Sequence, residues 1–260
     1  MSGDLELAER AALAAGEVLA RYYGRAPEGL GSKSSETDLV SDADREAERA
    51  VRDLLERERP EDGLLAEEGS RSEAASGRRW IVDPLDGTIN FLYGFPAWAV
   101  SVALEDEDGL LAGVVHSPVH RETFCAERGQ GAFVAGPDGE RTPLRVRSSC
   151  TSLDRALVAT GFSYEAPRRA EQAEIVRALL PRARDIRRAG AAALDLAWVA
   201  AGRVDAFYER GLKAWDWSAG QLLVTEAGGC LAWMDGEPAG LVAAATPELL
   251  EELLPLAEGG

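Results

Sequence analysis

Lysine is almost missing from this chain: of 28 basic residues, only Lys33 and Lys213 are lysines. Histidine is as scarce, with His116 and His120 alone, and the cysteines Cys125, Cys150 and Cys230 stand far apart without a C-x-x-C spacing. An odd number of scattered thiols excludes a disulfide framework and a zinc site, and reads as reduced, buried cysteine in a cytoplasmic protein. With so few soft ligands, any resident metal has to be a hard cation held by oxygen, which favours magnesium. A structural or surface role for the two histidines outweighs a catalytic one. No apolar run approaches a membrane span, and Met1-Ser2-Gly3-Asp4-Leu5-Glu6 lacks the basic start and apolar core of a signal peptide. Positive charge is short as well: 45 acidic residues give a formal net charge of −17, which argues against nucleic acid or an anionic membrane as partner. If the ligand is a phosphate, metal cations must offset the protein's own repulsion. The arginine skew reflects genome composition, yet both lysines fall beside acidic motifs, where a compact ammonium is not equivalent to a guanidinium.

What the chain does have is 260 residues that are 46% hydrophobic, enough for one large domain or two intimately packed halves around a sizeable core. Its centre of gravity is Arg79-Trp80-Ile81-Val82-Asp83-Pro84-Leu85-Asp86-Gly87-Thr88-Ile89-Asn90-Phe91. Trp80 to Val82 predict a short buried strand, which Pro84 is expected to end, so that Asp83 and Asp86 converge where the chain turns. Asp86-Gly87-Thr88 predicts a helix entrance whose free N–H groups suit an anion, although Asp-Gly is as often a plain tight turn. Two carboxylates beside such an entrance can hold cations against a phosphate. The spacing excludes the D-x-D-x-T pattern of phosphatases with an aspartyl nucleophile, because two residues separate Asp83 from Asp86.

Along the chain, helical periodicity predicts a helix over 4–23, ending at Gly24, and a second after Ser41, whose spacing to Asp44 is that of a capping box. The helix dipole alone accounts for an acid at Asp44. The Gly/Ser-rich segment between them is expected to be a mobile loop carrying Lys33. Leu64 to Gly69 reads as a strand ending in Glu67-Glu68, two acids that suit a solvated turn and a functional site equally. Strands follow at 98–104, 110–116 and 122–126, with Gly129-Gln130-Gly131 a turn rather than a nucleotide loop, since no βαβ unit follows it. The second half alternates: strands at 156–160, 185–188 and 204–208, helices at 168–180 and 191–201, and a helix entered at Trp215-Asp216-Trp217. Two strands and a helix opened by Thr246-Pro247 close the chain. No linker divides it; the nearest boundary, near Arg147-Ser148, gives an N-terminal half 1–147 and a C-terminal half 148–260.

Together these stretches resemble the inositol monophosphatase family over nearly the full length. The central stretch matches that family's D-P-[ILM]-D-G-T-x-N-F signature without a gap. Lys33-x4-Asp38-Leu39-Val40-x3-Asp44 is similar to its first motif, Glu67-Glu68 to its paired glutamates, and Trp215-Asp216 with Glu226-Ala227-Gly228-Gly229 to its last. The resemblance implies a layered α/β/α/β/α sandwich, one active site shared by both halves, a homodimer, and magnesium-dependent, lithium-sensitive hydrolysis of a small phosphorylated alcohol. It places Glu67, Asp83 and the Leu85 carbonyl on a first magnesium, and Asp83, Asp86 and Asp216 on a second, with a third, looser ion near Glu67. Gly87 and Thr88 N–H groups are implied to hold the phosphate, Thr88 and Asp44 to activate water, and Glu209 and Ala192 to face the alcohol together with Asp86 and Asp216. Two features depart from the family: Trp217 and Ser218 replace smaller apolar residues, and Ala191 replaces a Ser or Thr. Inositol 1-phosphate is the first expectation for the substrate. Histidinol phosphate, fructose 1,6-bisphosphate and adenosine 3′,5′-bisphosphate share the motifs, and a non-catalytic sugar-phosphate binder or assembly partner shares the fold.

Overall fold

The helices form where apolar spacing and caps coincide. In α1 (Gly3–Tyr22), the Ser2 hydroxyl accepts from the Leu5 N–H at 3.3 Å, and Leu5, Ala8, Ala12, Ala15 and Leu19 make a fully buried stripe. The computed structural model describes residues 2–24, 31–32, 39–40 and 42–259; the expectations placed on Lys33, Asp38 and Ser41 lie outside these residues. A small pair, β1 (Gly31–Ser32) and β2 (Leu39–Val40), precedes α2 (Asp42–Glu58). Then come β3 (Gly63–Ala66), β4 (Arg71–Ser72), β5 (Arg79–Asp86), the short helix α3 (Thr88–Leu92), β6 (Ala99–Asp106), β7 (Gly109–Ser117), β8 (Glu122–Glu127), β9 (Gly131–Ala135) and β10 (Arg141–Pro143). The second half runs β11 (Leu157–Thr160), α4 (Ala166–Leu179), β12 (Asp185–Arg187), α5 (Ala192–Ala200), β13 (Ala206–Arg210), α6 (Ala214–Glu226), β14 (Cys230–Met234), β15 (Gly240–Ala244) and α7 (Pro247–Ala257).

Two sheets stack with helices outside and between them. The larger has eight strands in the order β10-β9-β8-β7-β6-β5-β3-β4, and the smaller five, β12-β11-β13-β15-β14. Alternation along β5 and β6 sends Trp80, Val82, Val100 and Val102 into a core with α1 and α2, while Ile81, Ala99 and Ala103 face α5 and α6. That middle layer meets the smaller sheet through Phe207, Leu241 and Ala243. On the far side of the smaller sheet, Val158, Tyr208 and Val242 pack on Leu249 and Leu253 of α7. The architecture is therefore the α/β/α/β/α sandwich expected from the resemblance.

One local expectation fails. Pro84 does not end its strand: β5 runs on to Asp86. Its parallel partner β3 stops at the Ala66↔Val82 pair, and its antiparallel register with β6 breaks between Asp83 and Asp86 before resuming at Asp86↔Ala99. The missing proline N–H therefore falls inside a bulge, where neither neighbour asks for a donor.

Candidate active site

The bulge aims the site. Asp83 turns back so that its Oδ1 accepts the Leu85 N–H at 2.9 Å, and Asp83 and Asp86 are both buried. Gly87 follows with φ +88°, a conformation only glycine adopts at little cost, and a Cβ there would stand 2.8 Å from the Ala97 carbonyl. This turn sets Thr88 at the start of α3. The Thr88 hydroxyl lies 3.1 Å from the Leu85 carbonyl and 3.3 Å from Oδ2 of Asp44, so one proton has two acceptors. Asp44 is fully buried in the first turn of α2. One turn on, Glu48 accepts from the backbone N–H groups of Glu68 at 2.6 Å and Ser70 at 2.9 Å, which fixes the turn that carries Glu67.

The second half supplies the opposite wall. Asp216 reaches back from the first turn of α6 to the Lys213 N–H at 2.6 Å. Asp86 accepts from the N–H groups of Ala192 at 3.2 Å and Ala193 at 2.8 Å, at the start of α5. Glu209 stands on β13 against Gly161, where a Cβ would collide with its carboxylate. Glu67, Asp83, Leu85, Asp86, Gly87, Thr88, Ala192, Glu209 and Asp216 all line one cavity of about 1320 Å³. Asp44 is not among the lining residues, and its carboxylate contacts Thr88, which is.

Besides Glu48, three residues to which the sequence reading gave no role matter to this geometry. Asn90 donates to the carbonyls of Ala97 at 2.6 Å and Ala189 at 2.8 Å, pinning the approach to α5. Arg188 lines the cavity. Asp195, buried on α5, has neither carboxylate oxygen hydrogen-bonded among the described residues. The Asp44/Glu48 spacing of one helical turn could have revealed Glu48; nothing local announces the others. Glu226 has a structural role, accepting from Gly129 N–H and Gly131 N–H at 2.8 Å each, and so closing the turn between β8 and β9. Both histidines lie outside the cavity lining: His116 is 3.0 Å from the Thr123 hydroxyl and His120 is 2.8 Å from that of Ser117.

Electrostatically the acids work against each other. Burial first, then the negative charges of Glu67, Asp86 and Asp216, push Asp83 well above the ordinary carboxylate range. Asp216 rises likewise through burial, against the Lys213 N–H that favours its ionised form. Burial lifts Asp86 to about 7 despite the Ala192 and Ala193 N–H groups. It lifts Glu209 to about 8, with Asp86 adding to the rise and Arg188 opposing it.

The inositol monophosphatase family pattern matches residues 2–259. An inositol-1-monophosphatase of Mycobacterium leprae is 43% identical over 248 residues, 92% of this chain and 84% of that protein. A protein called Nus factor SuhB in Escherichia coli K12 is 38% identical over 257 residues, 96% of this chain and 94% of its own. The crystal structure of extragenic suppressor protein SuhB from Bartonella henselae, 38% identical, matches with a TM-score of 0.89 and 100% coverage of both chains. Two stacked sheets with an acidic cavity define the class, an α/β/α/β/α sandwich. Within that class, this chain belongs to the inositol monophosphatase family.

The cavity's donor set fits a hard divalent cation: carboxylates and a carbonyl, with no thiol or imidazole. The mutual elevation of Asp83, Asp86 and Asp216 is what a cation would relieve. Among the described residues, no three acids, histidines or cysteines are drawn into a ready-made ion cage. Asp86 and Asp216 each accept backbone N–H groups, from Ala193 and Lys213.

Proposed function

We propose that the protein is a magnesium-dependent phosphomonoesterase acting on a small phosphorylated alcohol, with inositol 1-phosphate as first candidate. The observation that carries this reading is the meeting of several carboxylates in one cavity, their pKa values raised by burial and then by one another's charge, beside a Thr88 that contacts Asp44 from a distant element. Glu67, Asp83 and the Leu85 carbonyl would hold one ion, and Asp83, Asp86 and Asp216 a second; two ions or three are compatible with this donor set. When bound, magnesium supplies charge neutralisation and Lewis acidity at the phosphate.

The chain's own groups do the rest. The N–H groups at the start of α3, Gly87 and Thr88, face the phosphate oxygens. Asp44 accepts the Thr88 proton, which leaves a lone pair on Thr88 Oγ1 to draw a proton from the attacking water; Glu67 assists on the same side. Attack in line with the ester oxygen then needs no covalent intermediate on the protein. Glu209 and the Ala192 backbone face the alcohol. The resemblance further supports a cytoplasmic homodimer inhibited by lithium.

The name of the E. coli relative, Nus factor SuhB, motivates a second reading, an assembly partner on the same fold. Such a protein could lose the Thr88–Asp44 pair without penalty, yet both residues are present and in contact. A phosphate-release screen with magnesium over inositol 1-phosphate, histidinol phosphate, fructose 1,6-bisphosphate and adenosine 3′,5′-bisphosphate tests the proposal. Release from none of them, in protein that magnesium stabilises, would favour the second reading.

A further inference from the structure

The turn after β3 accounts for each of its backbone N–H groups, and one side chain takes two of them. Glu67 donates to the Val82 carbonyl at 3.2 Å, and Gly69 to that of Ala66 at 3.4 Å. Glu68 and Ser70 donate instead to Oε2 and Oε1 of Glu48, at 2.6 and 2.9 Å. A carboxylate accepts with both oxygens, which is what two N–H groups aimed at one side chain require. Glu48 is 5% exposed, and Arg45, Arg49 and Arg52 of the same helix line a small cavity with it, so its charge is held beside cations. It leaves α2 one turn after Asp44, on the same face. Glu67 therefore hangs between two elements. One is β5, through the carbonyl that precedes Asp83; the other is α2, through Glu48. The ligands proposed for the second ion are anchored without this helix. Asp86 accepts from Ala192 and Ala193, Asp216 accepts from Lys213, and Ser101 on β6 donates to the Trp215 carbonyl at 3.0 Å.

We propose that Glu48 is a positioning residue for the first cation site: it fixes the turn that presents Glu67 and ties that ligand to the helix carrying Asp44. The inference rests on the magnesium-dependent reading and adds to it a residue that does not line the catalytic cavity. A ligand on a loose turn loses conformational freedom when it closes on an ion, and a turn already held by two charge-assisted hydrogen bonds loses little. Without Glu48, the Glu68 and Ser70 N–H groups have no acceptor in place, and the turn relaxes to find water. Removing such an outer partner weakens metal affinity by about 10- to 100-fold. The effect falls on the ion that Glu67 holds, since nothing ties Glu48 to Asp86 or Asp216. Excess magnesium offsets it, because Asp44 and Thr88 keep their own contact.

The experiment titrates magnesium calorimetrically into the wild type, Glu48→Gln, Glu67→Gln and the double variant, with melting curves for each. Glu48→Gln keeps the shape but turns one acceptor into a donor, so an amide N–H faces a backbone N–H. One class of magnesium site should weaken by about 10- to 100-fold while the other binds as in the wild type. The double variant should bind no more weakly than Glu67→Gln alone, because Glu48 acts through Glu67. Turnover of Glu48→Gln should recover at saturating magnesium, whereas that of Asp44→Asn should not. If Glu48→Gln does not fold, Glu48→Asp takes its place, with the charge kept but the side chain a methylene too short to reach both N–H groups. A lowered metal-free Tm with unchanged magnesium affinity would make Glu48 merely structural and overturn the proposal. Equal weakening of both classes, multiplicative losses in the double variant, or turnover that magnesium does not restore would overturn it too. A wild type that binds no magnesium fails the metal-dependent reading and the proposal with it, while normal binding in both the wild type and Glu48→Gln overturns the positioning role alone.

Discussion

Raising the pH destabilises the metal-free protein in a window where Glu209 holds a proton that the unfolded chain has lost. Burial moves its pKa from 4.5 to about 8. Because the unfolded state then binds fewer protons, the free energy of unfolding falls by about 1.4 kcal/mol per pH unit for each such group. The stabilising contribution is complete below the unfolded pKa and gone once pH has passed the folded one. Between about pH 6.5 and 8, Glu209 alone removes about 2 kcal/mol, or roughly 4–8 °C in Tm for a chain of this size. Asp86, raised to about 7, adds to the early part of the fall. His116 works in the opposite sense but lower down: burial lowers its pKa from 6.5 to about 4, so its contribution is lost only as pH falls below 6.5. Thermal melts in EDTA across this window measure the slope, and Glu209→Gln should flatten it by about the amount given. Excess magnesium should reverse the slope, because the ions compete with protons for Asp83, Asp86 and Asp216. A metal-free Tm that ignores pH here, or the same slope with and without magnesium, refutes the reasoning.

Asp44→Asn and Thr88→Ala should each cut phosphate release by about 10²–10⁴-fold while magnesium still raises Tm, and the double variant should be little worse than either single one. Multiplicative losses in the double variant would break the pairing. Gly87→Ala, forced to φ +88° with its Cβ near the Ala97 carbonyl, should cost about 1–3 kcal/mol in urea unfolding and reduce turnover; a silent change would show that the turn relaxes. Asn90→Ala leaves the Ala97 and Ala189 carbonyls without their donor and should cost about 2–3 kcal/mol, with a larger KM for polyol phosphates; a wild-type KM would detach Asn90 from the α5 approach. Lithium should lower phosphate release at fixed magnesium, and unaffected rates at lithium well above the magnesium concentration would count against the shared ligand set.

Most of the fold was legible because its signals are local. The stripe of α1, the alternating strands of the larger sheet and the Thr246-Pro247 entrance to α7, where the Thr246 hydroxyl accepts from Leu249 N–H at 3.3 Å, each lie within a few residues of the structure they cause. Pro84 shows where a local rule fails. A missing donor ends a strand only if a neighbouring strand requires that donor, and the neighbours of β5 do not: β3 has already stopped pairing, and β6 skips the register there. Whether a partner is in register is decided by the sheet, not by the proline.

The site divides along the same line. Its acids and Thr88 could be found because chemistry dictates their residue types, and a carboxylate near a phosphate entrance carries meaning before any contact is known. Asn90, Gly161 and Arg188 carry none until the chain folds. Asn90 acts on carbonyls about a hundred residues away, Gly161 matters through the Glu209 carboxylate it must not touch, and Arg188 through the turn that holds it. Asn90 also joins the two kinds of residue. It lies in the stretch that carries Asp83, Asp86 and Thr88, yet it fixes the segment that presents Arg188 and the Ala192 backbone. The elements that would hold the phosphate and those that would read the alcohol are thus mechanically one piece. A change on β5 or α3 should therefore alter which alcohol is accepted as well as how fast its phosphate leaves.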